Sequence, residues 1–136
     1  MNKIPNYRVW HKIEKRFVDL RSIDFEQDSI GYDCQGEANY YDVAKFDEIV
    51  FQQWTGLKDK NGKDIYEGDI IERKALTKTE NHSYNYCHCY EVIYSTDEAS
   101  YILKYGSGDE YVYLSDFINN LEIIGNIFEN SEPLKQ

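Results

Sequence analysis

The sequence lacks three features that mark large protein classes: long apolar runs, an excess of positive charge and an even set of cysteines. No apolar run in its 136 residues approaches the roughly 18 that a membrane-spanning helix needs. The N-terminal segment MNKIPNYRVWHK has no apolar stretch of the kind that a secretory signal contains. These absences predict a cytoplasmic protein that does not associate with a membrane.

An odd number of cysteines argues against a disulfide framework. Cys34, Cys87 and Cys89 are expected to be reduced thiols, because no secretory signal precedes them. Cys87, His88 and Cys89, with His82 upstream, form the one cluster that resembles a metal site. Zinc prefers four nitrogen or sulfur ligands, whereas on a strand His88 faces away from both cysteines, and no Cys-x-x-Cys pair is present. The sequence therefore predicts no metal and no cofactor.

Positive charge is scarce, since 15 Lys and Arg residues stand against 25 Asp and Glu, for a net charge of −10. This charge repels phosphate backbones, so direct nucleic-acid binding is disfavoured. Residues 1–21 contain six basic and two acidic side chains and carry +4, which leaves −14 on the other 115 residues. We expect the basic segment to pack beside Asp24, Glu26, Asp28 and Asp33. The alternative is that the acidic remainder mimics a nucleic acid and regulates a host nucleic-acid-associated factor.

No catalytic arrangement can be recognised in the sequence. A nucleophilic enzyme needs a serine or cysteine, a histidine base and an orienting acid, and no Gly-x-Ser-x-Gly elbow accompanies His11, His82 or His88. The glycine-rich segments match neither the Walker nor the Rossmann spacing. We therefore predict a protein that is not an enzyme and has no catalytic residue. A small hydrolase with a histidine beside a carboxylate is the alternative that the sequence leaves open.

Thirteen tyrosines favour pleated, half-buried surfaces, so the composition favours strands. Five short strands are predicted in the second part of the chain, over residues 70–74, 86–94, 101–105, 110–114 and 122–128. Their number and spacing fit a small β-barrel of SH3-like type. We expect a helical turn capped by Ser115 before the last strand and a mobile loop over residues 75–83.

The first part of the chain has a mixed pattern. In residues 42–50 the apolar positions recur at helical spacing, while the β-branched residues Ile49 and Val50 favour a strand. We therefore predict a mainly β protein of α+β type. It has an N-terminal α+β lobe at residues 1–57 and a C-terminal SH3-like β-barrel lobe at residues 58–136, joined in a single compact unit.

Residues 53–71, QWTGLKDKNGKDIYEGDII, are rich in turn signals. Asn61-Gly62 favours a type I′ turn, because both residue types tolerate positive φ angles. Glu67 and Asp69 flank Gly68, where the carboxylates could hold a cation or a partner's basic group, or could accept backbone N–H bonds in a tight turn. The predicted binding residues are the aromatic, turn and acidic positions of this segment: Trp54, Gly56, Asn61, Gly62, Tyr66, Glu67, Gly68 and Asp69.

Residues 53–71, together with LEIIGNIFEN at residues 121–130, resemble the two signature segments of the YopX family. This family consists of small proteins encoded by bacteriophages and prophages of low-GC Gram-positive bacteria. The resemblance implies a phage or prophage origin, a mainly β fold and the option of self-association. The resemblance implies no catalytic residue, because no biochemical activity is established for the family. The stretch of residues 74–90 has no recognisable counterpart in the family.

The residues and the resemblance together predict a phage or prophage accessory protein of unknown biochemical activity. We expect it to be a non-enzymatic protein-interaction module in the cytoplasm of the host bacterium. Its expected partner is a host or phage protein, and a homo-oligomer is a further option that the resemblance allows.

Overall fold

A computed structural model describes residues 6–34, 41–78, 83–105, 111–116 and 120–130, with side chains throughout except in residues 74–78 and 83–87. The described residues form twelve β-strands and two short 3-10 turns and contain no α-helix. The prediction of a mainly β protein is therefore confirmed. No helix in the described ranges is long and apolar enough to cross a membrane.

The chain divides into two compact units, Met1–Gln53 and Trp54–Gln136. The division falls inside one long strand, residues 49–58, and the predicted boundary after residue 57 lies four residues further along the same strand. A strand that runs through a boundary offers neither a composition change nor a linker, so nothing in the local sequence marks this position.

The first unit is built from short antiparallel strands. They are β1 (Tyr7–His11), β2 (Arg16–Val18), β3 (Leu20–Asp24), β4 (Ser29–Asp33), β5 (Tyr41–Lys45) and the first half of β6 (Ile49–Lys58). Pairing gives the orders β2-β1-β6 and β3-β4-β5. The core of this unit contains six buried side chains: Val9, Val18, Ile30, Tyr32, Ala44 and Ile49.

The helical spacing of residues 42–50 does not produce a helix, whereas the strand preference of Ile49 and Val50 at the end of this stretch is confirmed. These residues form the end of β5, a 3-10 turn at Phe46–Glu48 and the start of β6. In β5, Ala44 is buried while Val43 is exposed, which is the alternation of a strand. Pairing of β5 with β4 overrides the weak helical spacing, because each strand pair satisfies a row of backbone groups. The α+β character predicted for the N-terminal lobe is therefore absent from the described residues.

The second unit contains the remainder of β6, then β7 (Asp64–Tyr66), β8 (Asp69–Lys78), β9 (Ser83–Ser95), β10 (Ser100–Tyr105), β11 (Tyr111–Tyr113) and β12 (Leu121–Asn126). Five of these strands form one sheet in the order β11-β10-β9-β8-β12. All five strands predicted for this part are confirmed. The predicted loop is wrong over residues 75–78, which extend β8, and residues 79–82 lie outside the described ranges.

A 3-10 turn at Leu114–Asp116 precedes β12. Ser115 lies within this turn instead of capping it, because the turn begins one residue earlier than predicted. Leu114 is buried here and joins the core of the second unit, together with Ile71, Val92 and Leu103. Each such side chain contributes about 2 kcal/mol through removal of apolar surface from water. The sheet and the turn therefore share one core.

Candidate functional site

The predicted binding segment begins with a bulge in β6. Trp54 lies opposite Tyr66, but the next matched pair is Lys58 and Asp64, so the register shifts between them. Gly56 lies in the bulge with a φ of +84° and open space where a Cβ would be. Glycine is favoured here by backbone conformation and not by packing. The half-buried Trp54 carries a buried Nε1 without a hydrogen-bond partner in the described part of the chain.

Asp59 organises the turn that follows, and sequence reasoning missed this role. Its side chain is 6% exposed. Its Oδ1 accepts the N–H groups of Asn61 and Lys63, both at 2.9 Å, and its Oδ2 accepts the N–H of Ile123 at 3.0 Å. Burial acts to raise the pKa of Asp59, but these three bonds to the charged form outweigh burial and lower the pKa below its ordinary value.

The turn is not of type I′. A type I′ turn needs positive φ at both central residues, whereas Gly62 has a φ of +81° and Asn61 does not have a positive φ. The N–H of Gly62 donates to the carbonyl of Asp59 at 3.0 Å, and the N–H of Asp59 donates to the carbonyl of Lys63 at 2.8 Å. The buried Asp59 carboxylate stabilises this turn by accepting the N–H groups of Asn61 and Lys63.

The same turn is fastened to the start of β12. The backbone N–H of Lys60 donates to the carbonyl of Leu121 at 2.9 Å. Asn61 Nδ2 donates to Glu122 Oε1 at 3.3 Å, and Lys60 Nζ lies 3.4 Å from Glu122 Oε2. The two segments that carry the family resemblance, far apart in sequence, are therefore joined directly in the second unit.

The Glu67-Gly68-Asp69 step is a tight turn. Asp69 is 1% exposed, and its Oδ2 accepts the N–H of Tyr66 at 2.8 Å. Gly68 has a φ of +85° and donates to the carbonyl of Val92 at 2.8 Å, while its own carbonyl accepts the N–H of Ile127 at 2.9 Å. Of the two interpretations offered for Asp69, the structure shows the one in which its carboxylate accepts a backbone N–H bond in a tight turn. Glu67 stays half-buried, and burial raises its pKa.

The second signature segment is locked in a similar way. Asn126 is buried, and its Oδ1 accepts the N–H groups of Phe128 and Glu129, both at 3.0 Å. A Cβ on Gly125 would lie 2.6 Å from Asn130 Oδ1, so only glycine fits beside this side chain. The register of β12 against β8 shifts next to Gly125. The Asn126 side chain therefore stabilises the turn that ends β12.

The eight predicted binding residues do not form one open surface in the second unit. Gly56, Asn61 and Gly62 are exposed, but they belong to two different features, the bulge and the turn. Gly68 and Asp69 are buried, and their polar groups are used within the fold. The signature residues described above therefore act mainly as structural elements.

Histidine and cysteine chemistry finds little support in the described residues. His11 is buried, and its Nδ1 accepts the N–H groups of Ile13 and Glu14 at 3.2 and 3.1 Å, so it closes the turn between β1 and β2. Among the described side chains, neither Cys34 nor Cys89 forms a disulfide. Within the described ranges no three side chains of metal-ligating type come together. His82 and the side chain of Cys87 lie outside these ranges, so the absence of a metal stays a prediction.

An aromatic groove in the first unit was not predicted. It encloses about 460 Å³ and is lined by five side chains: Tyr7, Ile23, Phe25, Phe46 and Phe51. Four of them form a row of edge-to-face rings, with centroid distances of 6.0 Å, 5.9 Å and 6.2 Å along the row. Phe25 is 78% exposed at one end. We call these five residues the aromatic groove.

Two turns hold Phe25 and Phe46 in the groove. Asp24 Oδ1 accepts the N–H groups of Glu26 and Gln27 at 3.0 and 3.1 Å, which fixes the turn around Phe25. The N–H of Phe46 donates to the carbonyl of Asp28 at 2.8 Å. The lining residues of the groove come from several strands and turns of the first unit, so no contiguous sequence signal could have indicated it.

The basic N-terminal segment was expected to pack beside four acidic residues, and it forms an ion pair with one of them, Asp33. Arg21 Nε lies 3.0 Å from Asp33 Oδ1. In the described residues no ion pair joins a lysine or arginine to Asp24, Glu26 or Asp28. These three carboxylates lie in the turn between β3 and β4, beside the aromatic groove.

Together the fold and these sites define a class, a mainly β protein with two units, turn-locked signature segments and an open aromatic groove. Comparison with known proteins then identifies the family. The chain belongs to the YopX family, since the family described as YopX protein matches residues 6–135. The resemblance in residues 53–71 and 121–130 is thereby confirmed.

Among solved structures, the chain is similar to protein EF1440 from Enterococcus faecalis, with 27% sequence identity and a TM-score of 0.64. This similarity covers 98% of the present chain and 100% of the other chain. No curated protein matches the sequence.

Proposed function

We propose that this protein is a non-enzymatic accessory protein of a phage or prophage that acts by binding another protein. The aromatic groove is the observation that carries this proposal. Single exposed apolar residues are common, whereas a contiguous exposed apolar surface marks an interaction site. Five apolar side chains line the groove, and Phe25 is its most exposed member. Burying these rings against a partner would remove their apolar surface from water and favour association.

The YopX membership supports the phage or prophage origin and, with it, action in the cytoplasm of the host bacterium. The signature segments support the same proposal indirectly. Asp59, Asp69 and Asn126 are buried and bonded to backbone groups of their own unit. These three side chains are therefore bonded within the fold, which supports a partner-binding surface formed by other residues.

We also propose that the five-stranded sheet of the second unit closes into an SH3-like barrel. Two observations support this architecture. Strands β8 to β11 form a four-strand meander, and β8 also pairs with β12. A 3-10 turn at Leu114–Asp116 precedes β12. In this scheme the second unit is the stable scaffold.

Affinity capture tests the proposed function. The full-length protein is immobilised and exposed to a lysate of a low-GC Gram-positive host, as wild type, Phe25→Ser and Tyr41→Ser. Tyr41 is an exposed aromatic of the first unit that does not line the groove, so it is a matched control. We expect one protein to be retained by the wild type and by Tyr41→Ser and lost with Phe25→Ser.

Two results would contradict the proposal. One is that no protein depends on Phe25 for capture, although all three variants have the same circular dichroism spectrum. The other is that Tyr41→Ser weakens capture as much as Phe25→Ser does, because binding would then follow surface hydrophobicity in general and not the groove.

A further inference from the structure

We propose that the aromatic groove binds a segment of a partner protein in which an apolar anchor residue is flanked by lysine or arginine. This inference rests on the proposed function, since it names the kind of partner that the groove would recognise. Two separate features of the described residues carry it, a pre-formed apolar surface and a set of acidic side chains beside that surface.

The apolar surface is formed without a partner. Phe46 lies at the centre of the ring row, 5.9 Å from Phe51 and 6.2 Å from Phe25. The turn that holds Phe25 is fixed by bonds to the Asp24 carboxylate. Because the rings are already positioned, binding costs less ordering entropy. The volume of about 460 Å³ lies within the range of about 300–1,000 Å³ that is typical of binding pockets.

Acidic side chains lie next to Phe25 and Phe46 in the sequence. The turns that carry Phe25 and Phe46 cover residues 24–28 and 45–48, and together they contain five carboxylates and one lysine. Three of these carboxylates are exposed and adjacent in sequence to a ring of the groove. We call these three residues the acidic rim: Asp24, Glu26 and Asp47.

The nearby lysines leave the acidic rim available to a partner. Lys45 Nζ donates to the carbonyl of Gln27 at 3.3 Å, and Lys12 Nζ donates to the carbonyl of Asp47 at 3.0 Å. Both lysines thus bind main-chain oxygens. Within the described residues no ion pair involves a rim carboxylate. A partner's ammonium or guanidinium group would find complementary charge here, which favours association and orients the partner.

Other occupants fit these features less well. A second copy of the chain would bring a net charge of −10 and an identical acidic rim, so like charges would face each other across the contact. A nucleic acid would be repelled for the same reason. A small apolar molecule would use the rings but not the rim. A basic segment with an apolar anchor uses both.

Peptide selection provides a direct test. A random peptide display library is selected against the immobilised full-length protein at low ionic strength. We expect enriched peptides that combine tryptophan, phenylalanine or leucine with neighbouring lysine or arginine. Enrichment of acidic or uncharged peptides, or of none, would overturn the proposed partner class.

Titration of an enriched peptide then locates its site. A fluorescently labelled copy is titrated with the wild type, with Phe25→Ser, with Tyr41→Ser and with a triple variant of the acidic rim. The triple variant is Asp24→Asn, Glu26→Gln and Asp47→Asn. Asparagine at position 24 keeps a side-chain oxygen for the turn, so this variant is expected to fold, and circular dichroism checks all variants.

We expect Phe25→Ser to weaken binding about tenfold or more, while Tyr41→Ser binds like the wild type. The triple variant should also weaken binding by about tenfold at low salt, and the difference should shrink at high salt as charges are screened. Unchanged affinity of the triple variant overturns the role of the rim. Unchanged affinity of Phe25→Ser overturns the role of the groove.

The two proposals fail in different ways. If a lysate protein is captured through Phe25 but the triple variant captures it equally, only the basic partner class is wrong. If neither the lysate nor the library yields a binder that depends on Phe25, the proposed function is wrong as well. If an apolar dye binds in a manner that depends on Phe25 and no peptide does, the groove is a small-molecule site and both proposals are overturned.

Discussion

Single carboxylates have different roles within the same short segment. Asp59 and Asp69 are buried and accept backbone N–H groups, whereas Glu67 is half-buried and its pKa is raised by burial alone. Sequence spacing treats all three as candidate ligands. In the structure, Asp59 and Asp69 are turn acceptors, and the carboxylate of Glu67 loses solvation on folding.

Asp59→Asn should destabilise the protein by about 2 kcal/mol, because an amide nitrogen would face the N–H of Ile123 and leave that donor unsatisfied. The measurement is urea-induced unfolding at neutral pH. Asp64→Asn is the control, since Asp64 forms a partly exposed ion pair with Lys58 and should cost under about 1 kcal/mol. Equal losses in the two variants would contradict the assigned role of Asp59.

The effect of Asp59→Asn on the free energy of unfolding should depend on pH in a defined direction. The pKa of Asp59 is lower in the folded protein than its ordinary value of 3.8, so its stabilising effect is fully present above that value and is lost as the pH falls through the folded-state pKa. The difference in unfolding free energy between wild type and Asp59→Asn should therefore narrow below about pH 3.8. A gap that widens in acid would argue against this assignment.

Glu67→Gln should leave stability at pH 7 unchanged or raise it. Burial raises the pKa of Glu67, so the ionised carboxylate is less favourable in the folded state than in the unfolded state, and this cost disappears as the pH falls and the group is protonated. Thermal unfolding of both proteins at pH 7 measures the effect. A clear drop in Tm for Glu67→Gln would indicate that the charge stabilises the fold.

Tyrosine titration reports on an exposed cluster in the second unit. The hydroxyls of Tyr111 and Tyr113 donate to the two carboxylate oxygens of Glu98 at 2.6 and 2.7 Å. The hydrogen bond from Tyr111 to Glu98 is the main reason that the pKa of Tyr111 is raised to about 12. Glu98→Gln should move the tyrosine absorbance titration toward pH 10, while Asp97→Asn in the same turn should not. If both variants titrate like the wild type, the cluster does not persist in solution.

At the scale of elements, the strands were the most predictable part of this protein. All five strands of the main sheet follow from alternating tyrosine and branched residues and from the turn signals between them. The helical part of the expectation for residues 42–50 failed because nine residues are fewer than the roughly 11–18 that a reliable period needs, and pairing with β4 decides the conformation of the first of them. The turn at Asp59 was misassigned because its geometry depends on a carboxylate and on β12, far away in sequence.

Packing between β12 and the turn that follows it gives a prediction at this scale. Gly125→Ala would place its Cβ 2.7 Å from the Cβ of Asn130, so we expect destabilisation of about 1–3 kcal/mol from overpacking. Asn130→Gly in the same background should recover part of this loss, because it removes the clashing atoms. Urea unfolding of the single and double variants measures the coupling, and a fully additive result would show that the two residues do not interact.

At the scale of the whole molecule, the net charge of −10 allows the alternative of an acidic nucleic-acid mimic. A mimic would hold its partner by charge, and that complex would dissociate at high salt. Capture through the aromatic groove should lose only the roughly tenfold contribution of the acidic rim at high salt, because burial of apolar surface is not screened. The salt dependence of the captured complex therefore separates the two functions.

The sequence by itself determined the family, the mainly β class and the positions of the main strands. These depend on local alternation, turn residues and two signature segments, all of which can be read directly from the sequence. Only the tertiary structure decided what the polar residues of those segments do. Asp59 meets Ile123, and Gly68 meets Val92 and Ile127, through contacts between distant parts of the chain. The aromatic groove was decided in the same way, since its rings become neighbours only when the strands that carry them are paired.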